Sequence, residues 1–237
     1  MNEEGNLKSL ITEIGTASTR APITEIIYVD DGSTDHTYDI LKELTSEFPM
    51  LRVLHHDRRS GQSTALLTGI RAARNEIIVT LDGDGQNDPA DIPLVFGLYK
   101  SETQNGQKIM VTGRRKKRND SFGRRVASRF ANRLRAYLLK DNTQDTGCSL
   151  KLFTRTDYLN LPFFNHMHRF LPALMVRDGV QLAHVDVSHR HRMTGISKYT
   201  NFNRALVGIA DLMGVMWLQR RPNGLPIVSE YQNERTP

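Results

Sequence analysis

Cysteine is almost missing from this chain. Of 237 residues only Cys148 carries a thiol, so no intrachain disulfide forms and no cysteine-based zinc spacing is present. A small cross-linked scaffold is thereby excluded, and one thiol suits a reducing compartment. Tryptophan is single as well (Trp217). Long apolar runs are lacking: the best, Ala205 to Leu218, is 14 residues with Asp211 inside it, against about 20 needed to cross a bilayer. The opening Met1-Asn2-Glu3-Glu4 has no basic stretch leading into an apolar one, so no secretory leader is expected. Repeats and low-complexity linkers are also absent. What remains is an average globular composition, 38% hydrophobic and 24% charged, which excludes disorder as the main state. The length fits one large domain or two small ones.

Charge is unevenly placed. The formal net charge is +6, yet the segment Arg114 to Arg135 holds ten Lys/Arg and one acid, Asp120, and is +9 by itself. The rest of the chain is therefore slightly acidic, and the basicity is one local anion-seeking patch. Taken alone, such a run reads as a solvated helix face, a nucleic-acid patch or a phosphate site. The nearby aromatics, Phe122, Phe130 and Tyr137, suit a helix core face and make no stacking platform for bases, so no nucleic-acid partner is expected.

Apolar runs and helical patterns alternate through the first half. Glu25–Val29 reads as a buried strand, followed by a helix carrying Ile40, Leu41, Leu44 and Phe48 at helical spacing. Leu51–Leu54 is a strand, Gln62–Arg74 a helix and Glu76–Leu81 a strand. Asp88 caps the next helix, with Pro89 at its first position. Lys108–Thr112 is a further strand. This rhythm predicts an α/β fold, a mostly parallel sheet flanked by helices. Beyond Gly113 the pattern gives a long basic helix over Ser121–Lys140, strands at Ser149–Phe153 and Val180–Val187, a helix over His168–Arg177 between them and a final helix over Tyr199–Leu218. One domain over residues 1–221 is expected, with a mobile polar tail at 222–237.

Two acidic turns fall at strand ends, where ligands bind in such sheets. The first is Val29-Asp30-Asp31-Gly32-Ser33-Thr34-Asp35. Ser33 or Asp35 can be a plain helix cap, but adjacent carboxylates repel unless a donor-rich ligand or a metal meets one of them. The second turn is Asp82-Gly83-Asp84-Gly85-Gln86-Asn87-Asp88. Its glycines let Asp82 and Asp84 face one site. Clustered oxygen ligands suit Mg²⁺ or Mn²⁺, whose shells substrate phosphates complete. A calcium loop of the EF-hand kind is excluded, because its twelfth position would be Pro93 where a bidentate Glu is needed.

These motifs in this order resemble the family 2 inverting glycosyltransferases. The resemblance rests on Val-Asp-Asp-Gly-Ser-x-Asp, on Gly61, Ala65 and Gly69, and on Asp-Gly-Asp-Gly-Gln-x-Asp-Pro. Asp145-Thr146-Gly147-Cys148-Ser149-Leu150-Lys151 and His191-Arg192-x-x-Gly195-x-Ser197-Lys198-Tyr199 are similar to segments of the dolichol-phosphate mannose synthase branch and its bacterial polyprenyl-phosphate relatives. The similarity runs from about Asn2 to Arg221.

The resemblance implies a Rossmann-like nucleotide-sugar fold of the GT-A type, with a nucleotide-sugar half over 1–113 and an acceptor and membrane-facing half over 114–221. It implies transfer of a mannose- or glucose-type hexose from GDP-mannose or a UDP-hexose to a polyprenyl phosphate, assisted by Mg²⁺ or Mn²⁺, by a chain peripheral on the cytoplasmic face of an anionic membrane. The alternatives are transfer to another cell-envelope acceptor, or a nucleotide-binding chain without activity. Carried over by position, Val29, Asp31, Asp82, Gly83, Asp84, Arg192 and Lys198 meet the nucleotide sugar; Asp82, Asp84 and Gln86 hold the metal; Arg114, Arg124 and Ser128 take the acceptor phosphate. Asp84, Arg124 and Asp145 form the catalytic set, Asp145 as a base or as a carboxylate that orients Arg or Lys. His168 and Arg169, beside Met167, line the sugar pocket or lie on a helix surface, and Cys148 is a buried small apolar residue. Ala205–Leu218 is expected in the membrane interface or the core, with Trp217 as an aromatic anchor. Family members open with an apolar strand that has no counterpart before Asn2; strand 26–29 is therefore expected to show an open edge.

Overall fold

The computed structural model describes residues 2–115, 135–141, 143, 145–190 and 201–221. Six strands appear at the expected places: β1 Ile26–Asp30, β2 Leu51–His55, β3 Ile77–Thr80, β4 Ile109–Arg115, β5 Lys151–Thr154 and β6 Gln181–Val187. The helices are α1 Leu7–Ala17, α2 Thr37–Glu47, α3 Gln62–Ala72, α4 Ile92–Glu102, α5 Arg155–Leu159, α6 Leu171–Arg177 and α7 Asn201–Gln219, with a helical stretch over 135–139. The remainder of the expected helix 121–140, the tail 222–237, and Arg124, Ser128, Arg192 and Lys198 lie outside the described residues.

The strands form two sheets. β1 pairs with β2 in parallel, while the larger sheet has the order β3-β5-β4-β6. In that sheet β5 runs antiparallel to both β3 and β4, and β6 is parallel to β4. Three of its four strands therefore share a direction. Among the described residues β1 has β2 as its only strand partner and β3 has β5, which gives β1 the open edge expected of it.

That edge corrects the buried-strand reading. Only Ile26 and Asp30 of β1 are buried; Ile27, Tyr28 and Val29 are half-exposed, and Ile77 of β3 is exposed. A strand paired on one side keeps solvent on the other, so a continuous apolar run does not guarantee burial.

Two apolar clusters hold the layers. One gathers Leu7, Ile11 and Ile14 of α1, Leu41 and Leu44 of α2, Leu51, Ile92 and Val95, and reaches Val111 and Leu152 of the larger sheet and Leu150 just before β5. The other lies on α5, α6 and α7, with Phe153, Tyr158, Leu171, Leu174 and Val215. Apolar spacing on α1 explains its docking: Leu7, Leu10, Ile11, Ile14 and Ala17 are its buried residues and recur at three- and four-residue steps.

Candidate active site

The first acidic turn supplies its own donors. Asp30, fully buried, accepts from the Ser33 hydroxyl and lies 2.9 Å from His55 Nδ1. Asp31 accepts from the backbone N–H groups of Ser60 and Gly61, each at 2.8 Å, and lies 2.8 Å from His56 Nδ1. Burial would raise the Asp31 pKa, but the bonds from His56, Ser60 and Gly61 outweigh it and hold the carboxyl below the usual range. The inference that adjacent carboxylates require a ligand is therefore corrected: consecutive histidines at the end of β2 meet consecutive aspartates at the end of β1, as the in-register pairing of Asp30 with His55 dictates. Asp31 fixes the turn that leads into α3. Asp35, one residue before the N-cap His36 of α2, accepts from the Thr37 N–H at 3.1 Å.

The second turn is where the chain gathers chemistry. β3 ends at Thr80, and Asp82, Gly83, Asp84 and Gln86 follow, all partly buried. Gln62, at the start of α3, donates to Asp82 Oδ1 at 2.8 Å, and the Asp82 N–H donates to Ser149 Oγ at 3.2 Å. Burial and the charge of Asp84 push the Asp82 pKa up, against the pull of Ser149, Lys151 and Arg115. A Cβ at Gly83 would lie 2.4 Å from Tyr28 Oη, so any larger residue there has to push the Tyr28 side chain aside. Asp88 caps the following turn, accepting from Ala90 N–H at 3.0 Å, as expected. It also pairs with Arg190 at 2.7 Å, which reaches Glu13 of α1 at 2.5 Å; the Arg190 N–H donates to the Gln86 carbonyl at 2.9 Å.

A buried cluster faces this turn from the larger sheet. Asp145 takes a fork from Arg115, with Nε to Oδ2 at 2.7 Å and Nη2 to Oδ1 at 2.6 Å. Lys151, at the start of β5, is buried and donates to the Cys148 carbonyl. Burial pushes its pKa down, opposed by Cys148, Asp82 and Asp145. Cys148 is buried as expected, and burial raises its thiol pKa. From below, His168 Nδ1 lies 2.8 Å from the hydroxyl of buried Ser63, the residue after Gln62. Burial, then Arg169, Lys151 and His166, hold the His168 pKa down at about 3, so its ring is neutral. Met167 is in the core. Among the described residues no side-chain hydrogen bond or ion pair engages the Arg169 guanidinium.

The structure thus brings together Asp82, Asp84, Gln86 and Asp145, and adds residues that sequence reasoning did not single out for the site: Gln62, Ser63, Arg115 and Lys151. Arg114 pairs with Asp186 at 2.6 Å across the β4–β6 ladder, where the two are direct partners. Side chains alternate along a strand, so Arg115 points to the other face. That parity was the available signal. Val29 is half-buried on β1, with its Cγ2 packed 3.2 Å from where a Cβ of Gly69 would stand.

Comparison with known proteins fits this geometry. The family model Glycosyl transferase family 2 matches residues 1–161. A dodecaprenyl-phosphate galacturonate synthase of Rhizobium johnstonii is 36% identical over 224 residues, 92% of this chain and 65% of that protein. An undecaprenyl-phosphate 4-deoxy-4-formamido-L-arabinose transferase of Shewanella sediminis is 30% identical over 205 residues, 85% of this chain and 60% of that protein. The chain therefore spans about three-fifths to two-thirds of the length of these relatives. Among solved structures, glucosyl-3-phosphoglycerate synthase from Mycobacterium tuberculosis, determined with Mn²⁺, UDP and phosphoglyceric acid, superposes with a TM-score of 0.64 at 19% identity. That match covers 96% of this chain and 77% of that one, and it shows the shared fold.

Proposed function

We propose a function for this chain from the premise that it belongs to glycosyl transferase family 2: it transfers a sugar from a nucleotide sugar to a polyprenyl phosphate, with inversion at the sugar carbon. The observation that carries the reading is the meeting of the Asp82–Gln86 turn with the Arg115, Asp145 and Lys151 cluster, acids for a cation beside cations for an anion. Relatives named for dodecaprenyl and undecaprenyl phosphate support the acceptor class.

The donor set fits a hard divalent ion. Burial first, and then the neighbouring Asp84 charge, push the Asp82 pKa up, and a cation between the two carboxylates would offset both. Two carboxylates and the Gln86 amide oxygen suit Mg²⁺ or Mn²⁺. Among the described residues no group of three His, Cys, Asp or Glu is placed to hold a metal ion; on this reading the donor's phosphate oxygens supply the rest of the shell. Such an ion neutralises charge on the departing diphosphate. Gln62 and Ser149 fix Asp82, while Asp31 keeps the 56–61 loop in place under the nucleoside end of the donor. Neutral His168 offers the sugar a hydrogen-bonding edge without a charge. The acceptor is a phosphate monoester with a second pKa near ~6, largely ionised at neutral pH, and needs little help from a base. Arg192, Lys198, Arg124 and Ser128 keep their phosphate-binding roles by motif position alone.

On this reading the chain works at the cytoplasmic face of an anionic membrane, where a lipid phosphate is met. No described helix is long and apolar enough to cross a membrane.

The test is a panel of radiolabelled nucleotide sugars with a polyprenyl phosphate. Solvent-extractable label that disappears with EDTA is expected. No extractable label with any donor overturns the reading. Donors run from GDP-mannose and UDP-glucose to a nucleotide-linked galacturonate. Arg169, whose guanidinium has no partner among the described residues, favours a carboxylated sugar as a second reading. On that reading Arg169→Gln raises the KM for the uronate donor at least tenfold and leaves a neutral hexose donor unaffected; equal effects on both remove it.

A further inference from the structure

Resting on that reading, we propose that His168 is a specificity-determining residue for the donor, giving its Nε2–H to an oxygen of the transferred sugar, and that Ser63 is its positioning residue, deciding which ring nitrogen carries the proton. The turn that bears His168 is seated on the start of α3. Met167 anchors it in the core, and Asn165 Oδ1 lies 3.5 Å from where a Cβ of Gly61 would stand. One hydroxyl then holds His168 twice. The His168 backbone N–H donates to Ser63 Oγ at 3.3 Å, and Nδ1 lies 2.8 Å from the same oxygen. Gln62, the residue before Ser63, is the one that bonds Asp82. The imidazole is therefore mounted on the same helical turn that steadies the metal-binding carboxylate.

Ser63 is fully buried, so its hydroxyl hydrogen needs an acceptor inside the protein. A helical serine often gives that hydrogen to the carbonyl four residues back. Here the sole acceptor bonded to Oγ is His168 Nδ1. Were Nδ1 the donor instead, the buried hydroxyl hydrogen would be left with nothing to bond, which is the costlier arrangement. Nδ1 therefore accepts, and the proton of the neutral ring sits on Nε2. Nε2 has no partner among the described residues, and it is not one of the sealed, unsatisfied atoms, which are Arg135 Nε, Tyr158 Oη and His189 Nδ1.

Burial, with the charges of Arg169, Lys151 and His166 around the ring, keeps it from taking a second proton. What faces the site is thus an uncharged group that donates and cannot accept. A cation would be drawn to the diphosphate wherever it lay. A neutral N–H instead selects a lone pair at one position, a hydroxyl or carboxylate oxygen, and a sugar with no oxygen there leaves the donor unpaired.

Two measurements test this on the full chain. Nitrogen NMR of the labelled imidazole reads the tautomer directly. Wild type is expected to carry its proton on Nε2, and Ser63→Ala to spread it over both nitrogens, a change that a packing role for Ser63 would not produce. Calorimetry with Mn²⁺ then compares UDP-glucose, UDP-galacturonate and GDP-mannose with bare UDP and GDP. His168→Phe is expected to weaken the best-bound nucleotide sugar at least ~10-fold and to leave its bare nucleotide unchanged, with Ser63→Ala between wild type and His168→Phe. Among monodeoxy forms of that sugar, wild type should reject one, and His168→Phe should lose the discrimination. If His168→Phe does not fold, by its thermal midpoint, His168→Ala carries the test. A proton on Nδ1 in wild type, or equal effects of the His168 change on nucleotide sugar and bare nucleotide, overturns the proposal even where sugar transfer to a polyprenyl phosphate is found. Sugar binding that depends on His168 without such transfer keeps the proposal and removes the transfer reading alone.

Discussion

Asp84 and Asp88 lie four positions apart in one turn, and their surroundings separate their roles. Asp88 is spent on Ala90 N–H and Arg190. Asp88→Ala should therefore lower stability by about 1–2 kcal/mol, as loss of a cap and an ion pair does, and leave metal-dependent donor binding in place. Asp84→Ala should leave the unfolding midpoint near wild type and abolish the effect of EDTA on nucleotide-sugar binding. Calorimetric titration with and without metal compares the two; equal loss in both variants would remove the distinction. His168 gives a pH prediction. Its folded pKa, about 3, lies below the ordinary value of 6.5. As pH falls through that window the unfolded chain takes up a proton that the folded one refuses, so stability drops on acidification. Urea unfolding at pH 7 and pH 5 should show a smaller loss for His168→Gln than for wild type. At this scale the sequence was legible where one residue does one local job, as with the Asp88 cap and buried Cys148. Arg115 was not legible, because whether a strand-end arginine faces the site or the neighbouring strand depends on register, and register is a property of pairs.

Among the elements, α7 was read from sequence as an interfacial helix or a core helix; one of its faces packs on the core and the other is exposed. Val215 is buried and Leu212, Met216 and Leu218 pack on the second cluster. His166 to Asp211 at 3.2 Å and Gln219 to the Leu139 carbonyl at 2.8 Å hold the same side down. Ile209, Met213 and Trp217, at four-residue steps, are exposed, and Arg221 stacks on Trp217 at 4.9 Å. Apolar spacing announces an amphipathic helix but does not tell which of two apolar stripes the rest of the chain will cover. Liposome flotation should show salt-sensitive binding to anionic vesicles. Met213→Glu with Trp217→Glu should abolish it at an unchanged thermal midpoint. Flotation that survives the double change would assign membrane contact to another part of the chain. Val215→Asp, by contrast, should destabilise the protein by several kcal/mol, since it buries an unpaired charge.

At the scale of the molecule, the order of six strands and most of the helices between them could be read from alternating apolar runs, α1 and α5 being the exceptions, as could the position of both acidic turns at strand ends. The antiparallel insertion of β5 between β3 and β4 could not, because chain order carries no record of which earlier strands a later one will join. The β1–β2 pair, hydrogen-bonded to no strand of the larger sheet among the described residues and joined to it through the first apolar cluster, implies more than a shape. Segments that share few interactions open separately, each with its own free energy. The β1–β2 ribbon, half-solvated along β1, should exchange its amide hydrogens by a lower-energy opening than β4 and β5. A donor gripped by Asp82 on one side and by the α3 loop on the other would bind only when both parts are closed. Adding metal and nucleotide should then slow exchange in β1 and β2 more than in β5, so that a ligand held by a few oxygen atoms joins two semi-independent opening units into one.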